Sequence, residues 1–232
     1  MLVSYYKLLL VDPSSFVRLL TIICVSVLIA ITVHEFCHAF IARILGDRTA
    51  QHLRRLTLNP LRHLDPLGAG MLLVVGFGWG RPVPVNVRNL RVVKIGITLV
   101  ALGGPISNML LAFILAMLIR VDLLSWSSPY YLVPSSLMSG SPKDIVSQFV
   151  SMTIHFNLLL ALFNLLPIPP LDGSKMLEGL TPSKYYFMYQ RLERYGPIVL
   201  LCIIGLDITF NTGFLWRIIG YPLELLTHII VR

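Results

Sequence analysis

The chain has 232 residues, of which 56% are hydrophobic and only 13% are charged, and its formal net charge is +8. A soluble domain of this length could not bury so much apolar surface, because the apolar share of soluble proteins is nearer ~45–50%. The basic residues lie in short segments between apolar runs, without the aromatic-interleaved basic patch of a nucleic-acid interface. The composition therefore favours an integral membrane protein with no nucleic-acid partner.

From the N-terminus onward, the apolar runs long enough to predict membrane helices are residues 16–45, 92–119, 145–166 and 195–210. The last run is a little short for the ~20 residues that a membrane span usually needs. Residues 215–231 form a further apolar segment, which carries Arg217, Glu224 and His228. A fifth span and an interfacial helix are equally good interpretations of that segment.

Between the first two predicted helices, residues 71–77 are apolar but too short to span, and the alternate glycines from residue 76 onward argue against a helix. A re-entrant or interfacial loop is expected there. The predicted fold is an all-α multi-pass membrane protein with about four to five transmembrane helices plus this re-entrant or β-like membrane-associated loop. A single membrane-embedded domain is expected over residues 1–232, with a core at about 16–180 and C-terminal helices within 195–231.

The distribution of basic residues also predicts an orientation. Arginines are frequent in residues 46–91, and Lys and Arg recur in residues 173–194, whereas residues 121–144 carry few basic side chains. The positive-inside rule places the first two segments in the cytoplasm and the third outside.

The first predicted helix contains the sequence His34-Glu35-Phe36-Cys37-His38, an H-E-x-x-H motif, in a setting where ionisable residues are rare and usually functional. Residues four apart lie on one face of a helix, so both imidazoles can reach one metal ion, and neutral imidazole suits Zn²⁺. Glu35 is turned off that axis, near enough to take a proton from a water molecule without being a ligand. The alternative is a buried polar cluster whose groups satisfy one another.

Zinc in hydrolases usually has three protein ligands, so a third must come from elsewhere in the chain. The best candidate is Asp172, which directly follows a proline-rich segment that cannot form a regular helix. Irregular backbone at membrane depth occurs only inside protein or along a wet cavity, and this segment and the histidine pair both fall near cytoplasmic helix ends. Asp65, His155 and Glu178 are weaker candidates, expected in a solvated turn, deeper in the third helix and in cytoplasmic solvent, respectively.

The H-E-x-x-H motif and the N-x-x-P-x-P-x-L-D-G motif, which runs from Asn164 to Gly173, resemble those of the site-2 protease family of intramembrane zinc metalloproteases. Residues 56–68, 76–86 and 103–108 resemble the family as well. The resemblance covers about residues 30 to 180. No PDZ or CBS-like regulatory domain is recognisable, so the chain resembles a minimal form.

This resemblance implies one Zn²⁺ per chain, held by His34, His38 and Asp172, with Glu35 as the general base. It also implies hydrolysis of a peptide bond within a partly unwound transmembrane substrate. Asn164 matches the motif asparagine, for which the family implies a role in orienting the substrate or holding the developing oxyanion.

Three further residues are candidates for contact with substrate. Asn108 either makes a polar contact near the site or, slightly favoured, forms an interhelical hydrogen bond. Val83 and Val85 lie in "RPVPVN", whose alternation has the period of a strand and whose prolines suit an edge strand. We expect this segment beside the active site, where an unwound substrate adds to it as a strand. The alternative is a membrane-anchoring hairpin with Trp79 at the interface and Arg81 near lipid phosphates.

The sequence therefore predicts a zinc metalloendopeptidase that acts on transmembrane-helix protein substrates within the lipid bilayer. The expected location is a prokaryotic cell membrane, with the active site toward the cytoplasmic side. Two alternatives stay open: a non-catalytic membrane protein that binds or conducts a metal ion, and a protease-like scaffold that binds helices without cutting them. The intact Glu35 argues against the first, and the presence of every catalytic position argues against the second.

Overall fold

The structure is a computed structural model, which describes residues 8–75, 78, 80–129 and 141–232. Its longer helices are Pro13–Ile44 (α1), Pro66–Val75 (α2), Val93–Arg120 (α3), Pro142–Asn164 (α4), Asp172–Leu180 (α5), Tyr186–Phe210 (α6) and Phe214–Val231 (α7). Single helical turns occur at Thr49–His52, Pro60–Arg62, Val87–Asn89 and Ser183–Tyr185. The described residues contain no β-strand, only an isolated antiparallel bridge between Leu64 and Gly80. The predicted all-α fold is confirmed.

The start of α1 is fixed by its local sequence. Asp12 is the N-cap and accepts the backbone N–H groups of Ser14 at 3.0 Å and Ser15 at 3.2 Å, and Pro13 fills the first helical position. The helix then runs for 32 residues, about 48 Å at the α-helical rise. It is therefore long enough to cross the ~30 Å hydrocarbon layer and extend beyond it.

The helices that are long and apolar enough to cross a membrane are α1, α3, α4 and α7. The first three confirm the predicted spans at 16–45, 92–119 and 145–166. The predicted span at 195–210 is not among these candidates in the described chain, because Glu193 and Arg194 precede it in α6 and leave too short an apolar stretch. The segment 215–231, for which a span and an interfacial helix were equally good interpretations, supplies the fourth candidate instead.

Contacts between helices place α6 at one end of the bundle. Gly196 in α6 packs against Pro169, which lies just beyond the end of α4. The C-terminal ends of α3 and α7 meet, because Arg120 at the end of α3 donates from Nη2 to the carbonyl of Ile229 near the end of α7, at 2.5 Å.

The segment predicted as a non-helical loop forms a short helix instead, so that prediction is wrong for residues 71–75. Pro66 opens α2, and Asp65 just before it accepts the backbone N–H of Gly68 at 2.8 Å. A capped start with proline in the first turn outweighs the cost of the glycines inside the helix. At ten residues α2 is still too short to span, and residues 76, 77 and 79 lie outside the described residues.

Small residues let α1, α3 and α4 pack closely. A side-chain carbon added at Gly103 of α3 would lie 2.5 Å from Cδ1 of Ile41 in α1. Ala112 and Ala116 of α3 are fully buried in a cluster shared with α4 and α7. These contacts fit the expectation that small residues permit close helix approach.

Candidate active site

Three buried side chains with metal-ligating atoms converge where α1, α3 and α5 meet. His34 and His38 lie one turn apart on α1, and Asp172 is the first residue of α5. The Nε2 atoms of His34 and His38 lie 3.0 and 3.1 Å from Oδ2 of Asp172, and all three ligating atoms lie within 4.8 Å of one another. The structure thus brings the three predicted ligands together, and no other such group of His, Cys, Asp or Glu occurs among the described residues.

Asp172 reaches the histidines because the chain turns back sharply after α4. The helix ends at Asn164, and the proline-rich segment that follows leads directly into α5. A side-chain carbon at Gly173 would overlap the carbonyl oxygens of Leu165 and Leu166. Glycine is therefore required where the start of α5 folds over the end of α4, and this close approach holds the carboxylate against α1.

The second nitrogen of each imidazole is already hydrogen-bonded. Nδ1 of His34 donates to Oδ1 of Asn108, and Nδ1 of His38 donates to the backbone carbonyl of Val100, both at 2.7 Å. Asn108 presents its oxygen because both hydrogens of its Nδ2 are donated to other acceptors. A neutral imidazole has one N–H, so both Nε2 atoms direct lone pairs toward the carboxylate.

This arrangement fits a metal ion. Three electron-pair donors that face one another in a buried site repel one another unless a cation lies between them. Protonating both rings would instead bury two like charges, since the ring centroids lie 4.6 Å apart. Two imidazoles and a carboxylate are a ligand set that Zn²⁺ accepts, and bonds from the outer ring nitrogens are those that orient metal-ligating histidines.

Gly104 of α3 forms the floor of the site. A side-chain carbon there would lie 2.5 Å from Cε1 of His34 and 2.5 Å from Nε2 of His38. Any larger residue would push both rings off their positions, so glycine at this point leaves room for the ligands and an ion.

Glu35 lies next to the ligands without belonging to them. It is half-buried, and its Oε2 accepts the backbone N–H of Val83 at 2.8 Å. The segment that contains Val83 and Val85 therefore runs beside Glu35. Its side chains alternate, with Val83 and Val85 half-buried and their neighbours exposed, which is the pattern of an extended strand.

Charged side chains from a neighbouring loop hold this segment in place. Arg55 donates from Nη2 to the carbonyls of Arg81 at 2.5 Å and Pro82 at 3.2 Å. At the other end, Oδ2 of Asp47 accepts the backbone N–H of Asn86 at 2.7 Å. Together with Glu35, these groups fix the segment at its start, middle and end.

The pKa values of Asp47 and Arg55, which anchor this segment, are both shifted. Burial raises the pKa of Asp47, but hydrogen bonds from Thr49, Asn89 and Asn86 outweigh it and hold the pKa below its ordinary value. Burial and the neighbouring Arg81 lower the pKa of Arg55. The guanidinium nevertheless stays charged at neutral pH, so both anchors act as ions.

The other residues singled out from the sequence lie as follows. Asn108 is fully buried and bonded to His34 and the backbone of Ala30 on α1 and to Asn157 on α4. Asn164 is half-buried at the end of α4 and donates from Nδ2 to the carbonyl of Leu160 at 3.0 Å. The side chain of Val85 packs against the cluster formed by Ala42, Leu90 and Val100.

The weaker ligand candidates do not join the site. Asp65 caps α2, and the buried His155 packs edge-on against Phe156 with ring centroids 5.7 Å apart. Glu178 is half-buried on α5, and burial raises its pKa. The only grouping of metal-ligating side chains in the described residues leaves all three out.

Sequence reasoning missed Asp47, Arg55 and Asn157. Asp47 and Arg55 are loop residues among several charged neighbours, and no pattern marks them as buried anchors. Asn157 did carry a signal, because an asparagine inside an apolar membrane helix usually bonds to another helix.

Comparison with known proteins places the chain in a family. The sequence model of Peptidase family M50 matches residues 94–204. "Putative zinc metalloprotease YwhC" of Bacillus subtilis (strain 168) is 40% identical over 185 residues, which cover 80% of this chain and 80% of that protein. The chain belongs to the site-2 protease family.

Other members of the site-2 protease family are similar over most of their length. "Putative zinc metalloprotease Rip2" of Mycobacterium tuberculosis (strain ATCC 25618 / H37Rv) is 32% identical over 217 residues, 88% of this chain and 74% of that protein. The protein of the same name from Mycolicibacterium smegmatis is 30% identical over 198 residues, 84% of this chain and 70% of that protein. No solved structure matches the chain significantly.

Membership of the site-2 protease family confirms the resemblance seen in the sequence. It also confirms zinc as the cofactor, in agreement with the ligands that the structure brings together. With its apolar helices, the chain is an integral membrane protein of a metalloprotease family.

Proposed function

We propose that this chain is an intramembrane zinc endopeptidase that hydrolyses peptide bonds within or near transmembrane segments of other membrane proteins, as in regulated intramembrane proteolysis. The observation that carries the proposal is the position of Glu35. Its carboxylate lies beside three converging ligands on a helix long enough to cross a bilayer. A substrate that reaches this carboxylate has to be in the membrane or at its surface.

When bound, zinc supplies a Lewis acid that polarises the scissile carbonyl and acidifies water. Glu35 takes a proton from the attacking water while the water oxygen forms a bond to the carbonyl carbon. It then returns the proton to the amide nitrogen as the C–N bond breaks. Throughout, His34, His38 and Asp172 keep their places as ligands.

Asn164 is proposed to orient the substrate or to hold the developing oxyanion. It stands at the end of α4, where the chain begins its turn toward Asp172. One N–H of its amide donates to Leu160, and an amide group has a second N–H. Asn164→Ala should lower kcat with zinc content unchanged, and an unaltered kcat would exclude the role.

The extended segment beside Glu35 is proposed to bind substrate by strand addition. A transmembrane helix must unwind before its peptide bonds can be attacked, and its freed N–H and C=O groups then need partners. The N–H of Val85 has no hydrogen-bond partner among the described residues, and the prolines at 82 and 84 suit a strand edge. The hairpin alternative depends on Trp79, which lies outside the described residues.

Strand addition can be tested by crosslinking in a Glu35→Gln background. A cysteine at Val85 should crosslink to a cysteine near the scissile bond of a substrate, and one at Leu123, just beyond the end of α3, should not. Equal yields from the two positions would rule strand addition out.

Residues 1–232 are proposed to act as one domain in a prokaryotic cell membrane, with the active site toward the cytoplasm. The basic segment 46–91 supports this orientation, because it directly follows the histidine-bearing end of α1. Cysteine labelling should reach Arg54 from the cytoplasm and Leu123 from the opposite side. Labelling of both from one side would contradict the orientation.

Proteolysis itself is tested by co-expressing candidate single-span membrane proteins with the wild type or with Glu35→Gln. Fragments should appear only with the wild type, because the substitution removes the base and leaves the zinc ligands intact. Identical fragments from both would show that this residue is not the base. A wild type that binds zinc but cuts no membrane substrate would favour a helix-binding scaffold.

A further inference from the structure

We propose that Asn108 and Asn157 are positioning residues for the metal centre: together they fix the tautomer and ring orientation of His34, and so how tightly zinc is held. Neither residue touches the metal-binding face of the ring. They act from behind it, through two amide groups in series that reach from α4 across α3 to α1.

The direction of each hydrogen bond in this series is set by backbone carbonyls, which can only accept. Nδ2 of Asn157 donates to the carbonyl of Thr153 at 2.7 Å, so Oδ1 of Asn157 faces Asn108. Nδ2 of Asn108 donates to that oxygen at 2.7 Å and to the carbonyl of Ala30 at 3.0 Å. Both amide hydrogens are then used, and Oδ1 of Asn108 is the atom left to accept Nδ1–H of His34 at 2.7 Å.

The order of these bonds decides which nitrogen of His34 can bind metal. With the Asn108 oxygen against Nδ1, the proton stays on Nδ1 and the lone pair is on Nε2, 3.0 Å from the carboxylate of Asp172. If the amide of Asn108 were reversed, its N–H would face Nδ1. The ring would then carry its proton on Nε2, the position that has to be deprotonated for a metal to bind.

Water cannot take over this function, because Asn108 and Asn157 are both 0% exposed. The two zinc-binding histidines also differ in what supports them. Nδ1 of His38 donates to the backbone carbonyl of Val100, which no substitution removes. His34 depends on side chains, so it is the ligand whose geometry the sequence can alter from a distance.

The alternative role for Asn108 and Asn157 is to hold the helices together. The same bonds join α1, α3 and α4, and a clamp between helices would stabilise the fold without any effect specific to zinc. The bonds to α4 and to the backbone of α1 use the amide donors of Asn108, whereas positioning of His34 uses its oxygen. The two roles therefore respond differently to substitutions that remove one or the other.

The test uses the full chain in detergent, with zinc affinity measured by competition with a chelator. Asn108→Leu removes the acceptor, whereas Asn108→Asp keeps an oxygen toward His34 but loses both donors that link the helices. Positioning predicts a loss of about 10–100-fold in zinc affinity for Asn108→Leu. It predicts an affinity for Asn108→Asp that is closer to the wild type than to the leucine variant.

Asn157 has its own matched control. Asn157→Leu should weaken zinc binding by less than Asn108→Leu does, because the amide of Asn108 then loses one of its two acceptors and is held only by the carbonyl of Ala30. Ser26 is equally buried and bonds to Oγ1 of Thr153 at 3.0 Å, but it contacts neither amide. Ser26→Ala should leave zinc affinity at the wild-type value.

Thermal unfolding of the metal-free variants completes the test. Equal zinc loss in Asn108→Leu and Asn108→Asp would overturn the positioning role. So would wild-type zinc affinity in every variant with only a lower Tm, which is the result expected of a clamp. If Asn108→Leu does not fold, Asn157→Leu and Ser26→Ala are compared instead. Lower zinc affinity in Asn157→Leu alone supports the positioning role, and equal zinc affinity in the two variants overturns it.

Discussion

The metal centre and the extended segment Arg81–Asn86 meet at Glu35 but are built by different means. The ligands are held by helix packing: the trio is buried, and Gly104 and Gly173 let the backbones approach closely. The extended segment is partly exposed and has no helix or sheet of its own in the described residues.

The extended segment is held in place by the side chains of Arg55, Asp47 and Glu35, which form hydrogen bonds with its backbone. Zinc binding and substrate capture should therefore be separable. Changes in the helix bundle should affect zinc, whereas changes at the anchors should affect substrate affinity and leave zinc in place. Glu35 belongs to both regions, because it touches the segment and stands beside the ligands.

The largest effect is expected from Gly104→Ala. The added methyl group would overlap both imidazoles, and overpacking of this kind costs about 1–3 kcal/mol, which corresponds to roughly a 5–150-fold loss of zinc affinity if it falls on the metal-bound form. Gly103→Ala is the matched control, since there the one overly close contact of the methyl group is with the flexible end of Ile41. Chelator competition should show a large loss of zinc affinity for Gly104→Ala alone. Equal zinc affinities in the two variants would mean that the site can accommodate the methyl group at residue 104.

A smaller effect, of a different kind, is expected from Arg55→Lys. Lysine lacks the planar fork that lets Arg55 donate to three carbonyls, those of Arg62, Arg81 and Pro82. KM should rise about 5–30-fold, equivalent to about 1–2 kcal/mol of lost hydrogen bonding, while zinc content stays at the wild-type level. Arg62→Lys, in the same loop but with an exposed side chain, should change neither value. Loss of zinc in Arg55→Lys would show that the two regions are not separable.

The smallest effect is expected from Asp47→Asn. The carboxylate accepts N–H groups from Thr49, Asn86 and Asn89, and an amide cannot accept all of them, so unfolding free energy should fall by about 1–2 kcal/mol at neutral pH. Because the folded-state pKa of Asp47 lies below its ordinary value of 3.8, the stabilisation is complete above pH 3.8 and is lost as pH falls through the folded-state pKa.

Denaturant unfolding of the wild type and Asp47→Asn across pH measures this difference. It should be constant near neutrality and shrink only in strong acid. A difference that persists unchanged below the folded-state pKa would mean that the charge of Asp47 is not what anchors Asn86.

The sequence could predict that His34, His38 and Asp172 come together, because its parts obey strong local rules. Helical spacing puts His34 and His38 on one face, and the proline-rich break before Asp172 marks irregular backbone that must be buried. Helix α2 was missed because a capped start at Asp65 outweighed a glycine-rich composition.

Other features could not be predicted because they depend on how helices associate. The positions of α6 and α7 depend on contacts such as that of Gly196 with Pro169 and the bond from Arg120 to Ile229, which join distant parts of the chain. Asn157 is similar: its polarity was visible, but its partner on α3 was not. Arg55 and Asp47 bond to backbone atoms that are distant in the chain, and such bonds leave no local pattern in a sequence.

The central claim is that His34, His38 and Asp172 hold zinc, and counting zinc in purified protein tests it most directly. The wild type should hold about one zinc per chain. Asp172→Asn should fall well below that value, whereas Asp65→Asn, which alters only the cap of α2, should match the wild type. Full zinc occupancy in Asp172→Asn, together with loss in Asp65→Asn, would contradict the account and move the third ligand to the loop before α2.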